Sequence, residues 1–121
     1  MQTEHDRQEA GKILAPTSVS NYNLDCILDI CFEGGSNYWI DRIVVVDDDY
    51  NGAKSVSEVI SRDGEIKVFV DEGNPHHLTK TKLLKGCELY ADGRDWRPDD
   101  FDAYDTDIIL QNALFGEVVY G

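Results

Sequence analysis

A run of carboxylates in the last third of the chain holds most of its potential chemistry, and we call residues 92–107 the acidic segment. It contains Arg94 and Arg97 together with seven aspartates: Asp92, Asp95, Asp99, Asp100, Asp102, Asp105 and Asp107. If the segment were one continuous helix, four aspartates would share a face at a spacing of about 5 to 6 Å, close to that of successive phosphates. These four are Asp95, Asp99, Asp102 and Asp105. Such a face would imitate the backbone of a nucleic acid.

Other residues of the acidic segment support a second interpretation. Pro98 interrupts a helix, so the segment can instead be an acidic loop that leads into the last helix, with Asp102 or Asp105 as its cap. Trp96 and Phe101 either anchor a basic partner as exposed aromatics or attach the loop to the core. The candidate partner-binding residues are Asp92, Asp95, Trp96, Asp99, Asp100, Phe101, Asp102 and Asp105.

A second pattern matches the calcium-binding loop D-x-[DN]-x-[DN]-G-x5-E, in which oxygen ligands surround the ion and a glycine makes the sharp turn. An EF-hand loop follows a helix, however, whereas residues 40–46 predict a strand, and Lys54 occupies a position that is usually apolar. The sequence therefore favours an acidic turn without a stable ion. A weak calcium site is the alternative, with Asp47, Asp49, Asn51 and Glu58 as its ligands.

The remaining candidates for catalysis or metal binding are sparse. His76 and His77 are adjacent on a predicted loop, whereas zinc needs three or four converging ligands. Cys26, Cys31 and Cys87 lie in apolar patterns without Cys-x-x-Cys spacing, which favours reduced, buried thiols. No Gly-rich phosphate loop or Gly-x-Ser-x-Gly motif is present in the sequence. We therefore expect neither a cofactor nor enzymatic activity.

The net charge restricts the partners that the chain can attract. Its 121 residues include 24 acidic and 11 basic side chains, a formal net charge of −13. This charge repels nucleic acid and anionic membranes and steers the protein toward basic protein surfaces. No apolar run is long enough to span a membrane, and the polar start lacks the apolar core of a secretion signal. We expect a cytoplasmic protein, with self-association possible through Lys80, Lys82 and Lys85.

The elements that hold these residues follow from the spacing of apolar side chains. Helical spacing predicts a first helix capped by Asn21 or Asn23 and another helix capped by Thr79. The aromatic and β-branched residues 38–46 predict a central strand that is buried on both faces. The predicted elements are helices at about residues 23–33, 56–60, 80–91 and 104–115, and strands at 38–46 and 65–70.

This order of elements predicts an α+β fold with a small, mainly antiparallel sheet covered by about three to four helices. Residues 1–20 offer few apolar side chains and predict a mobile or lightly docked arm. Residues 21–121 are expected to form a single globular domain.

Three blocks of the sequence carry a resemblance to a known group of proteins. They are residues 31–39 (CFEGGSNYW), 83–86 (LLKG) and 113–121 (ALFGEVVYG). In order and character they resemble a family of small acidic proteins of unassigned function from bacteriophages, prophages and other mobile elements. The resemblance covers about residues 22–121 and implies a biological context without catalytic residues.

Charge and resemblance together lead to one hypothesis about function. Small acidic proteins of mobile elements often occupy a basic groove on a host defence complex, as anti-CRISPR and anti-restriction proteins do. We expect a protein-binding inhibitor of this kind, acting by electrostatic and steric blocking on a host complex that handles nucleic acid. The alternative is a small-ligand or cation-binding module that uses the loop between residues 47 and 58.

Overall fold

The computed structural model describes residues 2–14, 17–46, 50–71 and 73–121. Within these ranges it has five α-helices and two antiparallel sheets, which confirms the α+β prediction. The helices are α1 (Glu4–Arg7), α2 (Asn21–Ile30), α3 (Val56–Val59), α4 (Lys80–Ala91) and α5 (Ala103–Phe115). The strands are β1 (Glu9–Ile13), β2 (Thr17–Ser20), β3 (Arg42–Val45), β4 (Ile66–Phe69) and β5 (His76–Leu78). No helix in the described ranges is both long and apolar enough to cross a membrane.

Helices α4 and α5 pack closely because Gly86 has no side chain. A Cβ atom at Gly86 would lie 2.4 Å from the carbonyl oxygen of Ile109 and 2.8 Å from the Cβ of Ala113. The backbones therefore approach more closely than any larger residue would allow. Leu83 of α4 and Leu110 of α5 are both fully buried in the core.

The three-stranded sheet has the order β3-β4-β5, so the prediction of a central strand at residues 38–46 is wrong. The strand itself is limited to Arg42–Val45, and it lies at the edge of the sheet, with Val44 38% exposed. Tyr38 and Trp39 lie in a turn that follows a π-helical turn at Cys31–Gly35. The side chains of Tyr38 and Trp39 contact Asp107 and Phe115 of α5, and these contacts, rather than strand pairing, account for the aromatic residues at this position.

Residues 76 and 77 belong to strand β5, which corrects the prediction of a loop before α4. His76 pairs with Val68 of β4, and His77 pairs with Lys67 of the same strand. The His77 Nδ1 atom also lies 2.7 Å from a carboxylate oxygen of Glu65. Pairing with β4, rather than any intrinsic strand preference of histidine, determines this conformation.

The N-terminal residues form α1 and the β1–β2 hairpin. Ile13 and Val19 are fully buried in the core, and Gly11 lies against Leu84 of α4. Ser20, rather than Asn21 or Asn23, is the cap of α2, because its hydroxyl accepts the Asn23 N–H. Whether residues 1–20 are mobile, and whether a domain begins at residue 21, stays a prediction.

Candidate partner-binding surface

The acidic segment turns sharply between α4 and α5 instead of continuing either helix. It leaves α4 at Asp92, passes Gly93 at a φ of 79°, and makes a 3-10 turn at Pro98–Asp100 before α5 begins. The helical face of four aspartates is therefore not formed. The structure has the alternative arrangement, an acidic loop that leads into the N-terminus of the last helix.

Two of the candidate aspartates cap α5. A side-chain oxygen of Asp102 accepts the N–H groups of Tyr104 and Asp105 at 2.9 and 3.2 Å. Asp105 in turn accepts the Asp102 N–H at 3.0 Å and the Tyr90 hydroxyl at 2.7 Å. Although burial acts to raise it, the pKa of the Asp105 carboxyl is lowered by these hydrogen bonds and by nearby Arg94. Both carboxylates thus stabilise the N-terminus of α5, and both also add negative charge to the acidic segment.

The other candidate aspartates are exposed to solvent. Asp95 lies 3.3 Å from Arg97 in an ion pair whose two side chains are 81% and 70% exposed. Asp92, Asp99 and Asp100 form no ion pair with any residue in the described ranges. Exposed ion pairs contribute little to stability, so the fold does not depend on the side chains of these aspartates.

The two candidate aromatic residues attach the acidic segment to α4. The Trp96 and Phe101 rings meet edge to face with centroids 5.2 Å apart, and Phe101 meets Tyr90 in the same way at 5.3 Å. Both residues are half-buried and border the core. Of the two roles considered, packing is the one that these contacts show.

Asp107, the last aspartate of the acidic segment, is buried and differs from the others. One carboxylate oxygen accepts the Ser36 hydroxyl and the Trp39 indole N–H, each at 2.7 Å. The other accepts the Tyr38 hydroxyl and, at 2.9 Å, the amide of Gln111. Four neutral donors converge on one carboxylate, and no described cationic side chain forms an ion pair with it.

Gln111 also holds the residues that follow α5. Its side-chain oxygen accepts the N–H groups of Val119 and Tyr120, both at 2.8 Å, and its nitrogen donates to the Tyr120 carbonyl at 3.1 Å. The Tyr120 ring stacks on Trp39, with centroids 5.5 Å apart and an angle of 4° between the planes. Sequence reasoning missed this network, although Asp107 and Gln111 stand out as polar residues four apart within an apolar helix.

A groove of about 820 Å³ opens beside this network. Residues from α5, from the turn after α2 and from the C-terminal residues line it, including Tyr38, Tyr104, Asp107, Val118 and Tyr120. Arg94 lines it from the acidic segment. A smaller cavity of about 210 Å³ lies elsewhere along the same segment, between Pro98, Phe101 and α2. The acidic segment thus contributes to two concave surfaces.

The predicted calcium loop is only partly described. Asp47 and Asp49 lie outside the described residues. The Asn51 side chain donates to the Arg62 carbonyl at 3.0 Å, and Glu58 lies in α3. The described ranges contain no group of three or more His, Cys, Asp or Glu side chains arranged to hold a metal ion. The acidic turn without a stable ion stays a prediction, with a weak calcium site as its alternative.

The side chains of Cys31, Cys87 and Tyr38 have raised pKa values. Cys31 and Cys87 are buried free thiols, and burial raises the pKa of Cys31 to about 12 and that of Cys87 further. Desolvation and hydrogen bonding to Asp107 raise the pKa of Tyr38 to about 12. A nucleophile or base needs its reactive form at neutral pH, which these shifts disfavour.

The chain matches no protein-family model, no curated protein and no solved structure. The resemblance to proteins of bacteriophages and mobile elements therefore stays a prediction.

Proposed function

We propose that this chain is a protein-binding protein that docks on a basic protein surface through the exposed carboxylates of the acidic segment. The observation that carries the proposal is the exposure of Asp92, Asp99 and Asp100 without ion pairs among the described residues. With a net charge of −13, the molecule lacks the cations to neutralise them. A basic partner would supply those cations.

The conformation of the acidic segment also supports a binding role. The capping box of α5, the 3-10 turn and the packing of Trp96 and Phe101 hold the backbone between the two helices. Carboxylates on a fixed backbone lose less conformational entropy on docking than carboxylates on a flexible chain. The segment is therefore better organised for recognition than a merely solubilising run of charge would need to be.

The partner that we propose is a host complex that handles nucleic acid, of the kind targeted by anti-CRISPR and anti-restriction proteins of mobile elements. The protein would act in the cytoplasm by covering the basic groove of that complex, without binding nucleic acid or membrane itself. Its mechanism would be steric and electrostatic.

The test begins with capture of partners from a bacterial host lysate at about 50 mM and about 500 mM salt, because screening weakens contacts between exposed charges. Affinity for the captured protein is then measured for the parent chain, for D99N/D100N and for the control E4Q/D41N. The control changes net charge equally at exposed positions outside the acidic segment. We expect D99N/D100N to bind about 10-fold more weakly at low salt and the control to change less than about 2-fold.

Two results would contradict the proposal. One is the absence of any basic nucleic-acid-binding protein among the partners released by salt. The other is an equal loss of affinity in the acidic-segment variant and in the control, since net charge alone would then explain binding.

A further inference from the structure

The groove begins where the acidic segment ends. Asp102 caps α5, and the next two residues, Ala103 and Tyr104, already line the groove. A basic segment drawn to the exposed aspartates would therefore lie close to the groove along the chain. Its volume of about 820 Å³ falls in the range of sites that enclose a ligand group.

Tyrosine rings form much of the groove wall. Tyr104 is 71% exposed and Tyr38 is 59% exposed, while Tyr120 contributes to the same wall. No described ring or cation packs on the Tyr104 ring. A large aromatic side chain left open beside charged residues is typical of an anchoring position in an interface.

The charges in the groove leave one anion uncompensated. The guanidinium of Arg94 lies 4.7 Å from the centre of the Tyr90 ring and donates to the Tyr90 carbonyl at 2.9 Å. It also lowers the pKa of Asp105, although the two side chains form no ion pair. Asp107, only 7% exposed, receives four neutral donors and no described cation. Its negative charge therefore acts on whatever enters the groove.

Open tyrosine rings beside an uncompensated carboxylate favour a guanidinium over an ammonium group. A guanidinium is planar, stacks on aromatic faces and is weakly hydrated, so it loses less on entering a partly dry groove. Since the oxygens of Asp107 already accept four hydrogen bonds, the attraction acts through space, and the side-chain amide of Asn112 is available in the groove wall to accept a hydrogen bond.

We propose that this groove receives an arginine side chain of the basic partner, stacked on Tyr104 and Tyr38 and attracted by Asp107. The inference rests on the proposed function, and it adds the residue type that the partner must present. The exposed aspartates steer the partner, and the groove then holds one of its arginines.

The test uses a short Gly-Arg repeat peptide and NMR titration of the whole chain. We expect the largest chemical shift changes at Tyr38, Tyr104 and Val118. The same peptide with citrulline in place of arginine should cause no such changes, and the lysine version should bind at least about 3-fold more weakly. Shift changes confined to residues 92–102, or equal affinity for arginine and lysine, would overturn the inference.

Two variants of one exposed residue complete the test. Tyr104→Ala should weaken binding of the arginine peptide about 5-fold, whereas Tyr104→Phe, which keeps the ring, should bind like the parent chain. Because Tyr104 is largely exposed, both variants should keep the parent spectrum outside the groove. If Tyr104→Ala binds the peptide unchanged while D99N/D100N weakens a captured partner, the groove inference fails and the proposed function stands. If no basic partner is captured, the proposed function fails whatever the peptide does.

Discussion

Asp25 is the buried carboxyl whose surroundings satisfy it least. It is 6% exposed in α2, and one of its oxygens has no hydrogen-bond partner among the described residues. The side-chain oxygen of Asn21, one helical turn earlier, is likewise unpartnered. Burial, with added repulsion from Glu58 and Asp6, raises the pKa of Asp25 to about 6, although the nearby Ser61 acts in the opposite direction. The ionised form of this residue therefore disfavours the folded state near neutral pH.

Replacement of this carboxyl by an amide should stabilise the protein in a pH-dependent way. Well below a pH of about 3.8, Asp25 is protonated in both the folded and the unfolded chain, so D25N and the parent should be equally stable. As pH rises toward 6, the unfolded chain ionises first, and the parent loses stability that D25N keeps. At pH 7.5 we expect D25N to be more stable by about 2 kcal/mol, measured by urea unfolding across the pH range.

The pKa of His5 is also shifted, so its effect on stability must be separated from that of Asp25. Burial and nearby Arg62 lower the pKa of His5, so its contribution to stability is lost as pH falls, opposite to that of Asp25. Subtracting the parent curve from the D25N curve removes the His5 effect, which both proteins share. A difference that does not change with pH would show that Asp25 is not the titrating group.

At the scale of secondary-structure elements, the contact at Gly86 governs how α4 and α5 meet. In an isolated helix, Gly86→Ala would be favourable by about 1 kcal/mol. Here the new methyl group would lie 2.4 Å from the Ile109 carbonyl oxygen, so the helices would have to separate. We expect G86A to lose about 3 kcal/mol in urea unfolding, since overpacking at rigid backbone outweighs helix propensity.

Gly11→Ala is the matched control for that substitution. Its methyl group would also have a close neighbour, at 2.6 Å, but that neighbour is the end of the flexible Leu84 side chain. Leu84 can change rotamer, so G11A should cost less than half as much as G86A. Equal losses in the two variants would contradict the view that rigid backbone at Gly86 determines the cost.

The elements that sequence predicted well are those with local signals. Helix α4 was predicted at about residues 80–91 because Thr79, Leu83 and Cys87 provide a cap and an apolar face within the helix itself. Strand β5 was missed because His76 and His77 have no strand pattern, and their conformation depends on pairing with β4. The edge position of β3 was missed for the same reason, since strand order is a property of distant pairings.

The candidate site likewise has features that local sequence signals predict and features that depend on distant contacts. The cap at Asp102 and the turn at Pro98 follow from local rules, and the sequence pattern indicated the turn and gave Asp102 as one of two candidates for the cap. Asp107 appeared only as one more carboxylate of an acidic run, because its donors Ser36 and Trp39 come from a distant part of the chain. The groove could not be foreseen, since four separate parts of the chain form it.

For the whole molecule, the net charge of −13 should make stability depend on salt. Repulsion between like charges opposes the compact state, and added salt screens it. We expect the urea midpoint to rise between about 20 mM and about 300 mM sodium chloride, and to rise equally in choline chloride. A midpoint that stays constant or falls would contradict this expectation.

Calcium chloride at matched ionic strength separates screening from a specific ion site. Stabilisation beyond that given by sodium chloride, and absent in a D47N/D49N variant, would support the weak calcium site predicted from the sequence. Equal stabilisation by the two salts would remove that site from consideration and leave screening as the whole effect.

The position of Gly121 has a practical consequence. This residue borders the groove, and a Cβ atom placed on it would lie 3.6 Å from the Tyr38 hydroxyl. A purification tag attached to Gly121 would therefore begin at the rim of the groove, where it would hinder the entry of a partner's side chain. Immobilisation through residues ahead of α1, from which no lining residue of the groove comes, would keep that entrance open.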